Sequence, residues 1–287
     1  MRLGVVGFAP GDPRIITAEI LKTAVELGIT SVCYHVPGEI LNSISASDCK
    51  KTNALYGSQG LELAQFGIGY QECLFDPDKA VRDKVIKTIQ RGIEVGRELQ
   101  AQNVLIRTGS LNPSGSYDPT PENHRPECLN RLVDTLSRIA GKAEAEGLTV
   151  VIETHVLTIM GSPEINKRVI DDVGSDRLRV VMDFVNHFQS LDQVFNSTER
   201  LNHIFDVMGP IAPICHVKDI SLEPGFVLHM NEEIPGAGLL DLGTALKRWE
   251  ASHPLGYMLV EHLPEEKIST AVNNVRKIAT EVGVNII

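Results

Sequence analysis

Two hydrophobic patterns alternate along the chain. Short runs of consecutive Val, Ile and Leu are followed by longer segments in which apolar residues recur every three or four positions. The first pattern predicts strands covered on both faces, the second amphipathic helices. LGVVGF (Leu3 to Phe8) leads into a predicted helix from Arg14 to Leu27, and TSVCYH (Thr30 to His35) into one near Glu39 to Ser58. LELAQFGI (Leu61 to Ile68) precedes a helix from about Asp78 to Gln100, where Val81, Val85, Ile89 and Ile93 repeat every four residues. NVLIRTG (Asn103 to Gly109) precedes a long loop and a helix from about Arg125 to Glu146. The second half repeats the scheme with LTVVIETH, LRVVMDFV, APICHVKD and GYMLVEHL, each separated from the next by a helix-sized segment.

Eight strands alternating with helices imply a parallel sheet, because each parallel crossover needs a connection of helix length. Eight units in a chain of 287 residues predict an α/β fold, a (β/α)8 TIM barrel, as a single domain over residues 1–287. The competing open sheet would carry a GxGxxG turn after the first strand, and GVVGFAPGD has its glycines at other spacings. In a barrel the longest irregular stretch, GSLNPSGSYDPTPENH (Gly109 to His124), falls at the C-terminal face, where loops build active sites.

Composition narrows the function classes. With 27 Lys+Arg against 37 Asp+Glu, the formal charge of -10 opposes phosphate neutralisation, so nucleic acid is not the expected partner. Five scattered cysteines without a CxxC suggest neither a disulfide framework nor a thiolate zinc site, and reduced thiols fit a cytoplasmic protein. No segment reaches transmembrane length and the N-terminus has no signal-peptide pattern, so no membrane association is expected.

The chemistry concentrates at strand ends. Glu153 in VVIETH, Asp183 in VVMDFV, His216 in ICHVKD and Glu261 in MLVEHL close four successive strands, at spacings of 30, 33 and 45 residues. Charged groups at the ends of apolar strands are costly unless paired or metal-bound, and a closed barrel brings all four toward its axis. Three carboxylates and one imidazole without thiolate favour a divalent ion that prefers oxygen, Mn2+ or Mg2+, with Co2+ or Zn2+ as alternatives.

On these residues the chain resembles the xylose isomerase-like TIM barrels, the sugar isomerase and epimerase superfamily. The likeness spans the whole length and is most specific from Val150 to Leu263, including the glycine-rich PGAGLLD (Pro235 to Asp241). The resemblance implies that Glu153, Asp183, His216 and Glu261 are the metal ligands and that Glu153 and Glu261 double as catalytic base and acid. It implies a metal-dependent isomerase or epimerase of a small carbohydrate, working through an enediolate, in a homodimer or homotetramer. A lyase, dehydratase or decarboxylase using the same enediolate is the alternative. An apurinic-site endonuclease of the same superfamily is disfavoured by the charge, and a non-catalytic sugar-binding protein is the remaining class.

Several neighbours are candidate substrate contacts. His155 and Lys218 each lie two residues beyond a ligand and share its strand face. His155 either contacts substrate or hydrogen-bonds behind the ligands. Lys218 either binds a substrate oxygen, carboxylate or phosphate, or pairs with Asp219 or Asp183. Arg107 either serves an anionic group or pairs with Glu153. Asn186 holds the position where epimerases of this superfamily typically carry His, three residues after the Asp, while His187 stands one residue further on; both are candidate substrate contacts. The Arg that many ketose epimerases place after the strand-seven His has no equivalent in HVKDISLEPG. Asn112, Asn123, His124 and His35 are weaker candidates, Asn123 as a helix N-cap and His35 as a core histidine.

Overall fold

The computed structural model describes residues 1–287. Ten strands form: β1 Arg2–Val6, β2 Ser31–Pro37, β3 Glu62–Gly69, β4 Asn103–Arg107, β5 Thr149–Glu153, β6 Leu178–Asp183, β7 Ile214–Val217, β8 Asp219–Glu223, β9 His229–Glu233 and β10 Tyr257–Val260. All eight strands expected from the sequence join one closed parallel barrel in the order β1-β10-β7-β6-β5-β4-β3-β2, a (β/α)8 TIM barrel. The helices are α1 Ala18–Glu26, α2 Ala46–Ser58, α3 Lys79–Glu98, α4 Pro126–Glu146, α5 Pro163–Val173, α6 Leu191–Phe195, α7 Ser197–Met208, α8 Leu242–Ser252 and α9 Glu265–Val282.

The first two helices begin later than their hydrophobic pattern predicts. Pro13–Ile15 and Gly38–Ser43 instead make 3-10 turns. Helix α1 starts after Thr17, whose side chain accepts from Ile20 N, and α2 starts after Ser45, which forms a reciprocal capping box with Asp48. Such caps contribute about 1 kcal/mol each, enough to fix where the helix begins.

Side-chain alternation divides the core into two layers. Val6, Cys33, Ala64, Leu105, Val151, Val181, Ile214, Tyr257 and Leu259 form a cluster inside the barrel, while a larger cluster of 73 buried residues lies mainly between the strands and the helices. Two residues beyond an inward-facing residue the chain faces inward again. Cys33, Leu105, Val151, Val181, Ile214 and Leu259 therefore set the direction of His35, Arg107, Glu153, Asp183, His216 and Glu261 at the C-terminal mouth.

The connection after β7 is not simply helical. Strands β8 and β9 form an antiparallel hairpin, Asp219 opposite Glu233 and Glu223 opposite His229, whose turn exposes Phe226, Val227 and Leu228. The Asp219 carboxylate anchors the segment that follows: Oδ2 accepts from Gly236 N and Gly238 N, both at 3.0 Å, and Oδ1 from Leu240 N at 3.0 Å and Ile220 N at 2.8 Å. PGAGLLD thus wraps a buried carboxylate, and Gly238 is required by close approach, since a Cβ there would lie 2.4 Å from Asp219 Oδ1. All five cysteines are free and buried. No helix is long and apolar enough to cross a membrane.

Candidate active site

The ends of β6, β7 and β10 bring Asp183, His216 and Glu261 together, with one ligand atom from each lying within 4.8 Å of the others. All three are buried. Glu153, at the end of β5, belongs to a second, overlapping group with Glu261 and His262. The four ligands expected from the sequence therefore form two groups sharing Glu261.

Between these acids sits Lys218. Its Nζ lies 2.7 Å from Asp183 Oδ2, 3.1 Å from Glu261 Oε2 and 3.5 Å from Glu232 Oε1. Of its two expected ionic partners Lys218 takes Asp183, because Asp219 is committed to the backbone amides of Ile220, Gly236, Gly238 and Leu240. The ammonium is only 2% exposed, and although burial opposes its charge, Asp183 and Glu261 raise its pKa well above the ordinary value.

His216 is held from behind. Its Nε2 is 3.0 Å from Gln65 Oε1, which fixes the proton on Nε2 and leaves Nδ1 facing the acids, 2.9 Å from Glu261 Oε2. Burial opposes protonation of this ring, but Glu261 outweighs it and the pKa is raised. Burial also pushes the Asp183 carboxyl up, to about 6, against the pull of Lys218. Glu261 goes the other way: burial acts against its charge, yet His216 and Lys218 hold it well below the usual range.

These residues fit a divalent ion. Asp183 Oδ1 is buried without a hydrogen-bond partner, an expensive state for a carboxylate oxygen unless a cation meets it. An imidazole oriented through its far nitrogen is the usual support of a metal-binding histidine, and the donor set of carboxylates and imidazole suits a hard or borderline ion.

Around this floor, four contributors escaped the sequence reading. Tyr117, from the long loop after β4, donates from Oη to Glu153 Oε2 at 2.8 Å, and burial together with Glu153 raises the phenol pKa. Glu232, on the β8–β9 hairpin, lies 3.2 Å from His262 Nδ1, an interaction that raises the histidine pKa to about 9 against burial. His262 adopts φ +55°, a left-handed conformation uncommon outside glycine, so strict strand alternation does not give its direction. Gln65 did carry a signal, as the one polar residue in LAQFGI (Leu63 to Ile68).

The remaining candidates separate into those facing the mouth and those behind it. His155 faces it: Nδ1 accepts from Leu157 N at 3.1 Å, so the proton of the neutral ring is on Nε2, and burial and Lys218 lower its pKa. Its ring packs edge-on against Tyr117 at 6.0 Å. Asn186 positions the ligands, donating from Nδ2 to Asp183 Oδ2 at 2.7 Å while Oδ1 lies 3.4 Å from Lys218 Nζ. His187 does not reach the mouth, which corrects its expected substrate contact. The 3-10 turn Phe184–His187 sends its ring outward to Thr154 Oγ1 at 3.0 Å and Asn166, fully buried, and burial followed by Arg200 lowers its pKa to about 3.

Arg107 makes no ion pair with Glu153. Its Nη2 donates to Tyr70 O, and the guanidinium lies 5.6 Å from the Tyr70 ring centroid. Asn123 is no helix cap; it staples the long loop through Leu111 N at 2.9 Å and Ser110 Oγ at 3.0 Å. Asn112 bonds within the same loop, His124 is exposed outside the mouth, and His35 is open to solvent rather than in the core.

The sequence matches the family described as xylose isomerase-like TIM barrel over residues 21–278. No curated protein sequence matches the chain. Among solved structures, 3-keto-D-glucoside 4-epimerase YcjR from E. coli is 17% identical with a TM-score of 0.72, covering 98% of this chain and 99% of its own. D-Psicose 3-epimerase from Clostridium cellulolyticum H10, solved with D-tagatose, is 12% identical with a TM-score of 0.73, covering 99% of this chain and 100% of its own. A xylose isomerase-like TIM barrel protein from Mycobacterium smegmatis, solved with magnesium, is 15% identical with a TM-score of 0.69, covering 98% and 96%. At such identities these likenesses establish the fold.

Proposed function

Because the chain belongs to the xylose isomerase-like TIM barrel family, we propose that it is a divalent-metal-dependent isomerase or epimerase of a small sugar or sugar-derived ketone. The observation that carries this reading is the convergence of Asp183, His216 and Glu261 within 4.8 Å, with the buried Asp183 Oδ1 lacking any partner. The sugar epimerases and the magnesium complex among its structural neighbours support it.

Asp183, His216, Glu261 and Glu153 would hold the ion, Mn2+ or Mg2+ by donor type, with Co2+ or Zn2+ as alternatives. When bound, it supplies the electrophile that polarises a substrate carbonyl and offsets the charge of an enediolate. The chain's own groups do the rest. Glu153 and Glu261 stand on β5 and β10, separated around the barrel by β6 and β7, so one carboxylate removes the proton next to the carbonyl and the other delivers one from the far side. Tyr117 fixes the Glu153 carboxylate through one oxygen. His155 offers its Nε2–H to a hydroxyl. Lys218 is a fixed positive charge beside the oxygens that become anionic, in a site where little water competes with it.

The test is solvent deuterium incorporation. Protein loaded with Mn2+ or Mg2+ is expected to exchange a C–H of at least one ketose or oxo-sugar in heavy water. Glu153→Gln should slow this at least about 100-fold, the usual worth of a positioned base, with metal binding followed in parallel. Absence of exchange in every ketose and oxo-acid offered would refute the reading. An elimination or decarboxylation is the second reading, favoured by the two cations Lys218 and Arg107 near the mouth, and product composition separates the two.

A further inference from the structure

Beside the acidic centre, the ends of β2, β3 and β4 line a cleft of about 710 Å3 in which Tyr70 is the single hydrophobic residue among twelve. Its floor holds Arg107. Cα of Arg107 is the register partner of Cα of Glu153, so the two side chains leave neighbouring strands on the same face, about 4.8 Å apart at the backbone.

Arg107 is built as a fixed cation. Its guanidinium lies over the Tyr70 ring and one nitrogen donates to Tyr70 O. Tyr70 Oη braces the same residue's backbone, accepting from Arg107 N at 3.0 Å and donating to Arg107 O at 2.5 Å. No carboxylate pairs with it, and its Nε is buried without a partner. The cleft's other cation, Lys84, is bound to Glu72 at 2.6 Å.

His35, at the end of β2, lines the same cleft as Arg107 and is exposed to it. The fold makes room for it: a Cβ on Gly67, its register partner on β3, would lie 2.2 Å from the imidazole.

We propose that Arg107 and His35 form a subsite for a substrate carboxylate, so that the sugar processed at the neighbouring acidic centre is a sugar acid; this rests on the isomerase reading above. A planar guanidinium with free N–H groups matches a carboxylate. A phosphate dianion fits less well, because the cleft carries Glu39 and the Lys84-paired Glu72 at its rim. In a chain of charge -10, an anionic substrate needs such a dedicated cation.

The experiment compares D-glucuronate with D-glucose by calorimetry on Mn2+-loaded protein, alongside deuterium exchange into D-fructuronate and D-fructose. Wild type should bind glucuronate at least about tenfold more tightly than glucose. Arg107→Met should bring that ratio near one, His35→Gln should lower it, and Arg107→Lys, which keeps the charge and not the fork, should retain part of it. A wild type without carboxylate preference, or an Arg107→Met protein that folds and keeps it, overturns the subsite. Exchange of fructose without any carboxylate preference sinks the subsite and leaves the isomerase. Carboxylate-selective binding without exchange of any ketose or oxo-acid offered upholds the subsite and sinks the isomerase.

Discussion

Lys218 Nζ and Asp183 Oδ2 lie 2.7 Å apart with almost no access to solvent, the lysine 2% and the aspartate 0% exposed. A fixed cation thus shares the acids that are the candidate metal ligands. Removing one member of a buried pair leaves an uncompensated charge and typically costs about 3–5 kcal/mol. At pH 8, Lys218→Met is therefore expected to lower the melting temperature of metal-free protein by several degrees, and to increase the stabilisation gained on adding Mn2+. Thermal scans with and without the ion measure both, and an unchanged metal-free melting point would refute the pairing.

His187 sets an acid limit on stability. Its folded pKa is about 3 against an ordinary 6.5, so between these values the unfolded chain binds the extra proton and the folded chain does not. Stability from this group is complete above about pH 6.5 and falls as the pH drops through that window, by up to about 1.4 kcal/mol per unit. His187→Gln should flatten the decline of melting temperature between pH 6.5 and 4.5. An identical slope in both proteins counts against it.

Tyr117 is expected to act through Glu153. A hydrogen bond to a charged group contributes about 1.5–3 kcal/mol, so Tyr117→Phe should slow proton exchange about tenfold or more, chiefly in kcat. Since the loop's staple runs through Asn123 and Ser110 rather than the phenol, the melting temperature should change little. A variant with wild-type kcat would remove Tyr117 from the mechanism.

Gly238 tests the anchored segment. Alanine there would bring Cβ within 2.4 Å of Asp219 Oδ1 and 2.5 Å of Ile220 O, and overpacking of this kind costs about 1–3 kcal/mol. Denaturant titration should show that loss. Equal stability would mean that the segment shifts freely.

Much of this protein follows from its order of residues alone. Eight apolar runs separated by helix-length segments imply a parallel sheet covered by helices, and the number of units together with the missing GxGxxG turn favours a closed barrel over an open sheet. Alternation determines more: two residues past an inward-facing Val151, Val181, Ile214 or Leu259 the next inward position is Glu153, Asp183, His216 or Glu261. What depends on contacts distant in sequence was decided only in three dimensions. The β8–β9 hairpin brings Glu232 to His262, and the long loop brings Tyr117 to Glu153 over 36 residues. The turn after Asp183 sends His187 outward and keeps Asn186 in, a difference of one residue that alternation cannot read once the strand has ended. Strand parity points Lys218 toward the mouth but leaves its partner open. Asp219 is taken by backbone amides of residues 236–240, and that leaves the ammonium to Asp183 and Glu261.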